Sequence, residues 1–568
     1  MSRAPDLVVL GRIASLAGES GFGWVEAMAV RDGLVVEIGA RPEMERSVGR
    51  ATRVVDLPPG HVVLPSVTDA HVHLVDAAMA ADEIDLEGSP TLATALALVA
   101  DAHAARLAGG DHDGWLLGHG WSTDGWDARP TAADLERVAP GRPIALWAHD
   151  HHTRWMSDAA LRRLGIDAAV VDPLGGTVGR DDAGRPDGLL YEHATRIGAD
   201  AIPRPDHEAL AGAVERYAGR LAALGVTGVH DPGGTSPDPS LDGGFATVRT
   251  MADEGCLPLR VHAGVRDEQL EAAIAAGYRS GASPAPPDGA GIAERQALAR
   301  YRMGWLKLFG DGSVGSRTAA MLEPYEDAAT RNGPAGPLGH LLESRERLTA
   351  RVSLAAASGI ATMIHAIGDR AVRTALDAFE AAGAERLAAL GLRPRIEHAQ
   401  LVQPSDRARF GTLGVVASLQ PIQLRSDEAT MQRAWGQRTA LAFPLGSLVA
   451  AGAAIVFGTD APVEPPDPWP GIATAVSRWA PEWGDSAAPS TPGEAISLDR
   501  AIRAATVGPW AAADDALGGR LVPGATADLV VLEWAPEAAD ASEQLRSARP
   551  ALTLLDGTER HRAPGFDR

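Results

Sequence analysis

The sequence predicts an α/β protein: a (β/α)8 TIM-like barrel with a large insertion after its first strand, plus a small β-sandwich domain formed by the two ends of the chain. Three observations predict it. Eight short apolar runs alternate with Ala/Leu/Arg-rich helical segments through the middle of the chain. About 150 residues separate the first and second runs, far more than one barrel helix needs. The two ends share a strand-and-turn texture that the middle lacks.

The N-terminal strands read as "DLVVLGRIASL", "WVEAMAVRDGLVVEIG" and "ATRVVDLPPGHVVLPS". Near the other end come "GRLVPGATADLVVLEW" and "PALTLLDG", and "ADLVVLE" echoes "PDLVVLG". Residues 1–63 and 520–568 are therefore expected to pair into one discontinuous β domain. Residues 64–519 carry the barrel, whose strands are "VVLPSVTDAHVHL", "GVTGVHD", "LPLRVHAG", "WLKLFGD", "ATMIHAIGD", "PRIEHAQ", "VVASLQP" and "AIVFGTDAP". Helical stretches such as "HEALAGAVERYAGRLAAL" and "RERLTARVSLAAASG" lie between them. The insertion, roughly 78–222, holds "GHGWSTDGWDARPTAADL", "RPIALWAHDHHTRWMSDAAL" and "DGLLYEHA", and is expected to act as a lid over the barrel mouth.

Composition sets outer bounds. A chain of 568 residues is too long for one simple core. Its 45% hydrophobic and 22% charged content are those of a soluble globular protein. A formal charge of −22 and a pI near 5.2 argue against nucleic acid or an anionic membrane as partner. Cys256 is the one cysteine, which excludes an intrachain disulfide and fits a reducing compartment. The N-terminus lacks the features of a signal peptide, and no run of about 18 apolar residues suggests a membrane span. A cytoplasmic protein is expected.

In a barrel of this kind the active site lies at the C-terminal ends of the strands, and polar residues gather there. His71 and His73 lie in "DAHVHL", Lys307 in "LKLFGD", His365 in "MIHAIGD", His398 in "RIEHAQ" and Asp460 in "FGTDAP". Alternate residues of a strand share a face, so both imidazoles of His-Val-His project to one side. An HxH pair alone is weak evidence of a metal site, and four more nitrogen or oxygen ligand types at strand ends make it strong. Such donors, without thiolates, suit zinc, and also manganese, iron or nickel.

Lys307 stands out further. Of 52 lysines and arginines in the chain, all but Lys307 are arginine. A buried ammonium is costly and repels metals. A neutral amine can take up CO2 as a carbamate, which turns a cation into a carboxylate-like ligand; arginine, fixed in its charged form, cannot.

These segments resemble the amidohydrolase superfamily, and within it the amidohydrolase-3 branch that contains N-substituted formamide deformylases. The resemblance covers nearly the whole chain, through "DAHVHL", "WSTDGWDARPTAADLERVAP", "GVTGVHDPG", "LKLFGDGSVGSRTAAMLEPYED", "HAIGDRAV", "RIEHAQ", "GTDAPVEPPDPWPGI" and "LVPGATADLVVL". It implies a binuclear site with two divalent ions, zinc first. His71, His73 and Asp460 would hold the more buried metal and His365 and His398 the other. N-carboxylated Lys307 and a hydroxide would bridge the two. Asp460 would also shuttle a proton from the nucleophile to the leaving amine.

The resemblance further implies a substrate contact at His152, where the family has a "DGH" motif; here His151 replaces the glycine. Trp121, Asp311, Arg317 and Gln420 are offered as substrate contacts by position, with the loop "GDGSVGSRTAAM" also open to an Asp311/Arg317 brace. Trp126, Trp469 and Glu192 are lesser candidates. His230 and His262, at the ends of the second and third strands, either line the pocket or sit in the core.

The expected activity is metal-dependent hydrolysis of a C–N bond, an amide or N-formyl group, in a small molecule. The alternatives are an ester, lactone or carbamate hydrolase, or an aminohydrolase, on the same scaffold. A non-catalytic binding protein is disfavoured because all six ligand positions are intact. Relatives of this kind are often dimers, so a homodimer is among the expected assemblies.

Overall fold

The computed structural model describes residues 3–123, 126–149, 153–173, 176–198, 201–202, 206–233, 245–327 and 336–566. The chain divides into two compact units, Met1–Leu74 with Glu215–Arg568, and Val75–Val214.

All eight barrel runs form parallel strands. They are Val67–Asp69, Val226–Asp231, Arg260–Arg266, Tyr301–Phe309, Thr362–Ala366, Arg395–His398, Val416–Leu419 and Ala454–Phe457, hydrogen-bonded in sequence order. The second, third, fifth, sixth and seventh are buried at every position. That explains why they read as continuous apolar runs rather than alternating ones. Helices follow the strands; Asp369–Ala382 turns Val372, Ala375, Leu376 and Phe379 inward at the spacing of one helix face.

The eighth strand meets the first through two backbone bonds, Ala70 N to Phe457 O (2.9 Å) and Asp460 N to His71 O (2.7 Å). Gly458 lies at this seam. A Cβ there would collide with the His71 backbone, so the close approach requires glycine. Gly458→Ala is expected to push the first and eighth strand ends apart and to destabilise the protein by about 2 kcal/mol, read by chemical denaturation. An unaltered midpoint would show that the seam tolerates a side chain.

The two chain ends share one sheet. Its strand order is Thr558–Arg562, Pro550–Leu555, Leu529–Glu533, His61–Pro65, Leu7–Ala14, Trp24–Arg31 and Leu34–Gly39, with Arg53–Asp56 also pairing Leu7–Ala14. Strands His61–Pro65 and Leu529–Glu533 join the ends antiparallel, Val63 opposite Val531. The Trp24–Arg31/Leu34–Gly39 hairpin turns on Asp32-Gly33, both at positive φ, as a two-residue turn of this hand requires. Opposite faces of Leu7–Ala14 feed separate apolar clusters, Leu7 and Val9 one, Val8 and Leu10 the other.

Arg260 ties this sheet to the barrel. It donates to Asp528 from Nε (2.6 Å) and Nη2 (3.1 Å) and also pairs with Asp556, all three side chains being buried. Burial pushes the Asp528 carboxyl up, but Arg260 overrides it and holds the group below its usual range. Its stabilisation is thus present at neutral pH and lost as acid carries the pH down through the folded value. Asp528→Asn is expected to cost about 3 kcal/mol at pH 7 in chemical denaturation; an unchanged midpoint would show that the pair contributes nothing.

The unit Val75–Val214 has its own six-stranded sheet, in the order Gly176–Arg180, Pro186–Glu192, Thr153–Met156, Ile144–Ala148, Leu116–Trp121 and Ile84–Asp85. Alternation along its strands feeds two cores. Leu116, Leu146, Trp155 and Leu189 face one, while Leu117, Ala145, Met156 and Leu190 face the other. The insertion expected at 78–222 overlaps this unit, whose far edge falls inside helix His207–Ala223. Among the described residues, no helix is long and apolar enough to cross a membrane.

Candidate metal centre

His71 and His73 lie just beyond the first barrel strand, on backbone held by Val72 N to His230 O (3.1 Å) and His73 N to Ala461 O (2.9 Å). Their rings sit 5.5 Å apart and converge on Asp460, which follows the eighth strand. His71 Nε2 is 3.4 Å and His73 Nε2 3.5 Å from the same oxygen, Asp460 Oδ1. All three residues are buried, and their ligand atoms lie within 4.8 Å of one another.

The other ring nitrogens are engaged. His71 Nδ1 donates to Glu397 Oε2 at 2.5 Å and His73 Nδ1 to the Gly233 carbonyl at 2.6 Å. Burial, then the charge of Lys307, pushes the His71 imidazole down to about 3, so it is neutral. Its Nε2 therefore carries a lone pair, is buried, and has no hydrogen-bond partner. Although burial alone would raise it, Asp460 is held well below the usual carboxylate range by His71, His73 and His398. A lone pair aimed at an ionised oxygen across 3.4 Å, with no proton between them, is an arrangement that a cation would satisfy. The residues present fit a divalent metal ion.

His365 and His398 stand beside this group, ring centroids 4.4 Å apart, with His398 5.2 Å from His71. Each again gives one N–H to the protein, His365 Nε2 to the Gly312 carbonyl (3.1 Å) and His398 Nδ1 to Gln420 Oε1 (3.0 Å). Both imidazoles are lowered, His365 by burial, His398 and Lys307, and His398 by burial and Lys307 against the opposing pull of Asp460. Lys307 is buried on the fourth strand, its Nζ 5.0 Å from the Phe309 ring. Burial, with smaller pushes from Arg266 and Arg395, lowers its amine to about 8. Its charge acts on His71, His365, His398 and Glu397 alike.

Backbone geometry aims two of these side chains. His398 has φ +69° and Asp460 φ +65°, left-handed values that L residues rarely adopt. Inward-facing Arg395 and Glu397 alternate correctly along the sixth strand, so His398 would point outward were the strand to continue. The left-handed turn redirects it.

Of the remaining sequence candidates, Asp311 and Gln420 adjoin this cluster, Asp311 Oδ1 standing 3.6 Å from His365 Nε2. Asp311 is buried, and its two oxygens accept the N–H groups of Ile367 (3.0 Å), Gly368 (2.8 Å) and Ala320 (2.8 Å). Arg317 donates to Asp327 (2.8 Å) and the Val314 carbonyl (2.7 Å). Both have the bonds of loop braces. Gln420 supports His398. Trp121 donates to the Leu146 carbonyl (3.0 Å) and packs on Trp126 and Trp155 in the core of its own unit. Trp469 is fully buried and donates to the Leu224 carbonyl (2.9 Å). His230 and His262 are buried neighbours on the second and third strands, rings 4.6 Å apart. His151, His152 and the Glu192 side chain lie outside the described residues.

Three residues at the site escaped the sequence reading. Gln423 Nε2 donates to Asp460 Oδ2 (3.0 Å), and Arg395 with Glu397 stands behind His71. The period-two spacing of Arg395 and Glu397 in "RIEH" was the available signal.

The profile described as Amidohydrolase family matches residues 53–561. Protein LONG AFTER FAR-RED 3 of Arabidopsis thaliana is 31% identical over 549 residues, covering 93% of this chain and 86% of the plant protein. N-substituted formamide deformylase of Arthrobacter pascens is 27% identical over 554 residues and 95% of each chain. Among solved structures, a metal-dependent hydrolase from Pyrococcus furiosus superposes with a TM-score of 0.71 at 26% identity, over 94% of this chain and 100% of that one.

Proposed function

The chain belongs to the amidohydrolase family, and from that premise we propose that it is a metal-dependent hydrolase that cleaves a C–N bond, an amide or N-formyl group, of a small molecule. The observation that carries this reading is the pair of imidazole nitrogens, His71 Nε2 and His73 Nε2, facing one ionised oxygen of Asp460. Similarity to an N-substituted formamide deformylase along 95% of both chains supports the bond type.

His71, His73 and Asp460 would hold one divalent ion and His365 and His398 a second, with N-carboxylated Lys307 serving both. When bound, such ions polarise a substrate carbonyl and lower the pKa of water. The chain does the rest. Asp460 is oriented by Gln423, and there it would take the proton released as water attacks the carbonyl carbon. It then delivers that proton to the leaving nitrogen as the C–N bond breaks, giving an acid and an amine. Burial of the cluster keeps bulk water from competing for the proton.

The test is a panel of N-formyl, N-acyl, carbamate and ester compounds offered to zinc-reconstituted protein, scored for acid and amine. Equal amounts of amine and acid from an amide or formamide are expected. Ammonia without acid would reassign the chain to aminohydrolases, and turnover of esters alone would overturn the C–N assignment. Chelation is expected to lower turnover at least about 100-fold, with recovery on adding zinc. Full activity after complete metal removal would exclude the mechanism.

A further inference from the structure

The sixth strand carries two charged side chains into the barrel interior, and neither contacts the cluster of metal-ligand candidates except at one atom. Arg395 and Glu397 are both fully buried. Arg395 Nε donates to Glu397 Oε1 (2.8 Å) and its Nη2 to Glu397 Oε2 (3.0 Å), a two-pronged pairing in a fixed plane. Glu397 Oε2 also receives His71 Nδ1 at 2.5 Å. Arg395 is itself fixed on three more sides: Nη1 donates to His230 Nδ1 (2.8 Å), and Nη2 to the Ala70 carbonyl (2.7 Å) and Ser418 Oγ (2.9 Å).

A buried ion pair placed for stability alone is a poor investment of structure, because desolvation offsets most of its Coulombic gain. This one is aimed. The carboxylate oxygen that meets His71 is the one farther from the guanidinium Nε, and the guanidinium is anchored on strands two and seven and on the residue that follows strand one. We infer that Arg395 and Glu397 form a positioning pair that fixes His71 with its proton on Nδ1, so that Nε2 presents a lone pair to a metal. The inference rests on the reading of His71 as a metal ligand. Neither residue touches substrate; Glu397 acts through His71, and Arg395 through Glu397.

The test measures zinc affinity of the full-length protein by competition with a chromophoric chelator. Glu397→Gln is expected to weaken binding 10- to 100-fold, the usual effect of removing such a partner. Because this variant leaves a buried guanidinium uncompensated, the double variant Arg395→Met/Glu397→Gln, which removes both charges, is measured beside it and is expected to lose affinity by the same factor while its metal-free form unfolds near the wild-type midpoint. His73→Ala serves as the reference for the ligand reading. If His73→Ala binds zinc as wild type does, the ligand reading itself fails. If His73→Ala loses zinc but the folded double variant binds at wild-type strength, the positioning pair alone is overturned. Should both Glu397 variants fail to fold, wild-type protein decides the matter. In 15N-histidine-labelled, metal-free protein, the resonance missing from His71→Ala is expected to show a protonated Nδ1 and a bare Nε2, and the opposite tautomer would overturn the inference.

Discussion

Lys307→Arg is expected to lower kcat/KM at least about 10³-fold, equivalent to about 4 kcal/mol of transition-state stabilisation, although it keeps the charge. The variant is expected to hold fewer zinc equivalents by elemental analysis. The reason lies in the difference between an amine and a guanidinium. Burial brings the Lys307 amine down to about 8, within reach of its neutral form. A neutral amine attacks CO2, forming an N–C bond and releasing a proton, and the product is an anion suited to a metal. Arginine stays cationic and would place an unpaired charge among three imidazoles. A folded Lys307→Arg protein with near-normal turnover would sink the carbamate. The same value near 8 gives a pH dependence. At fixed dissolved CO2, reactivation of stripped enzyme should be faster at pH 8.5 than at pH 7, because the neutral fraction rises from about one-tenth to about three-quarters.

Asp460→Asn is the second large effect expected, a fall in kcat of about 10³-fold with KM little changed. Asparagine retains the shape of the side chain and can still meet Gln423. It loses the charge that faces His71 and His73 and the ability to carry a proton to the leaving nitrogen. Substrates with a good leaving group need that proton least, so their loss should be smaller. An equal loss for good and poor leaving groups would remove the proton-transfer role and leave Asp460 as a ligand alone.

The barrel was legible because its strands are buried on both faces and therefore read as short apolar runs, each ending in a polar residue at the mouth. The terminal sheet was legible through the echo of "PDLVVLG" and "ADLVVLE", whose strands share one sheet. The packing of the tryptophans was not legible. Trp121, Trp126 and Trp155 pack on one another because the inserted unit builds a core of its own. A local pattern cannot distinguish a pocket wall from a second core. Arg395 and Glu397 were passed over because charged residues are rarely fully buried, and their justification is a partner over 300 residues away in sequence, His71. The left-handed backbone at His398 and Asp460 had no sequence signal, since neither is glycine.

The joined ends of the terminal sheet have a consequence for how the chain reaches this state. Arg12 bonds Glu537 across 525 residues, and the edge of strand His61–Pro65 is covered by Leu529–Glu533. During synthesis that strand edge must wait, exposed, while the barrel and the inserted unit are made. Long-range pairings of this kind slow folding and leave intermediates open to strand-on-strand association. The inserted unit has its own sheet and two cores. The sheet is complete only when the C-terminal strands have joined it.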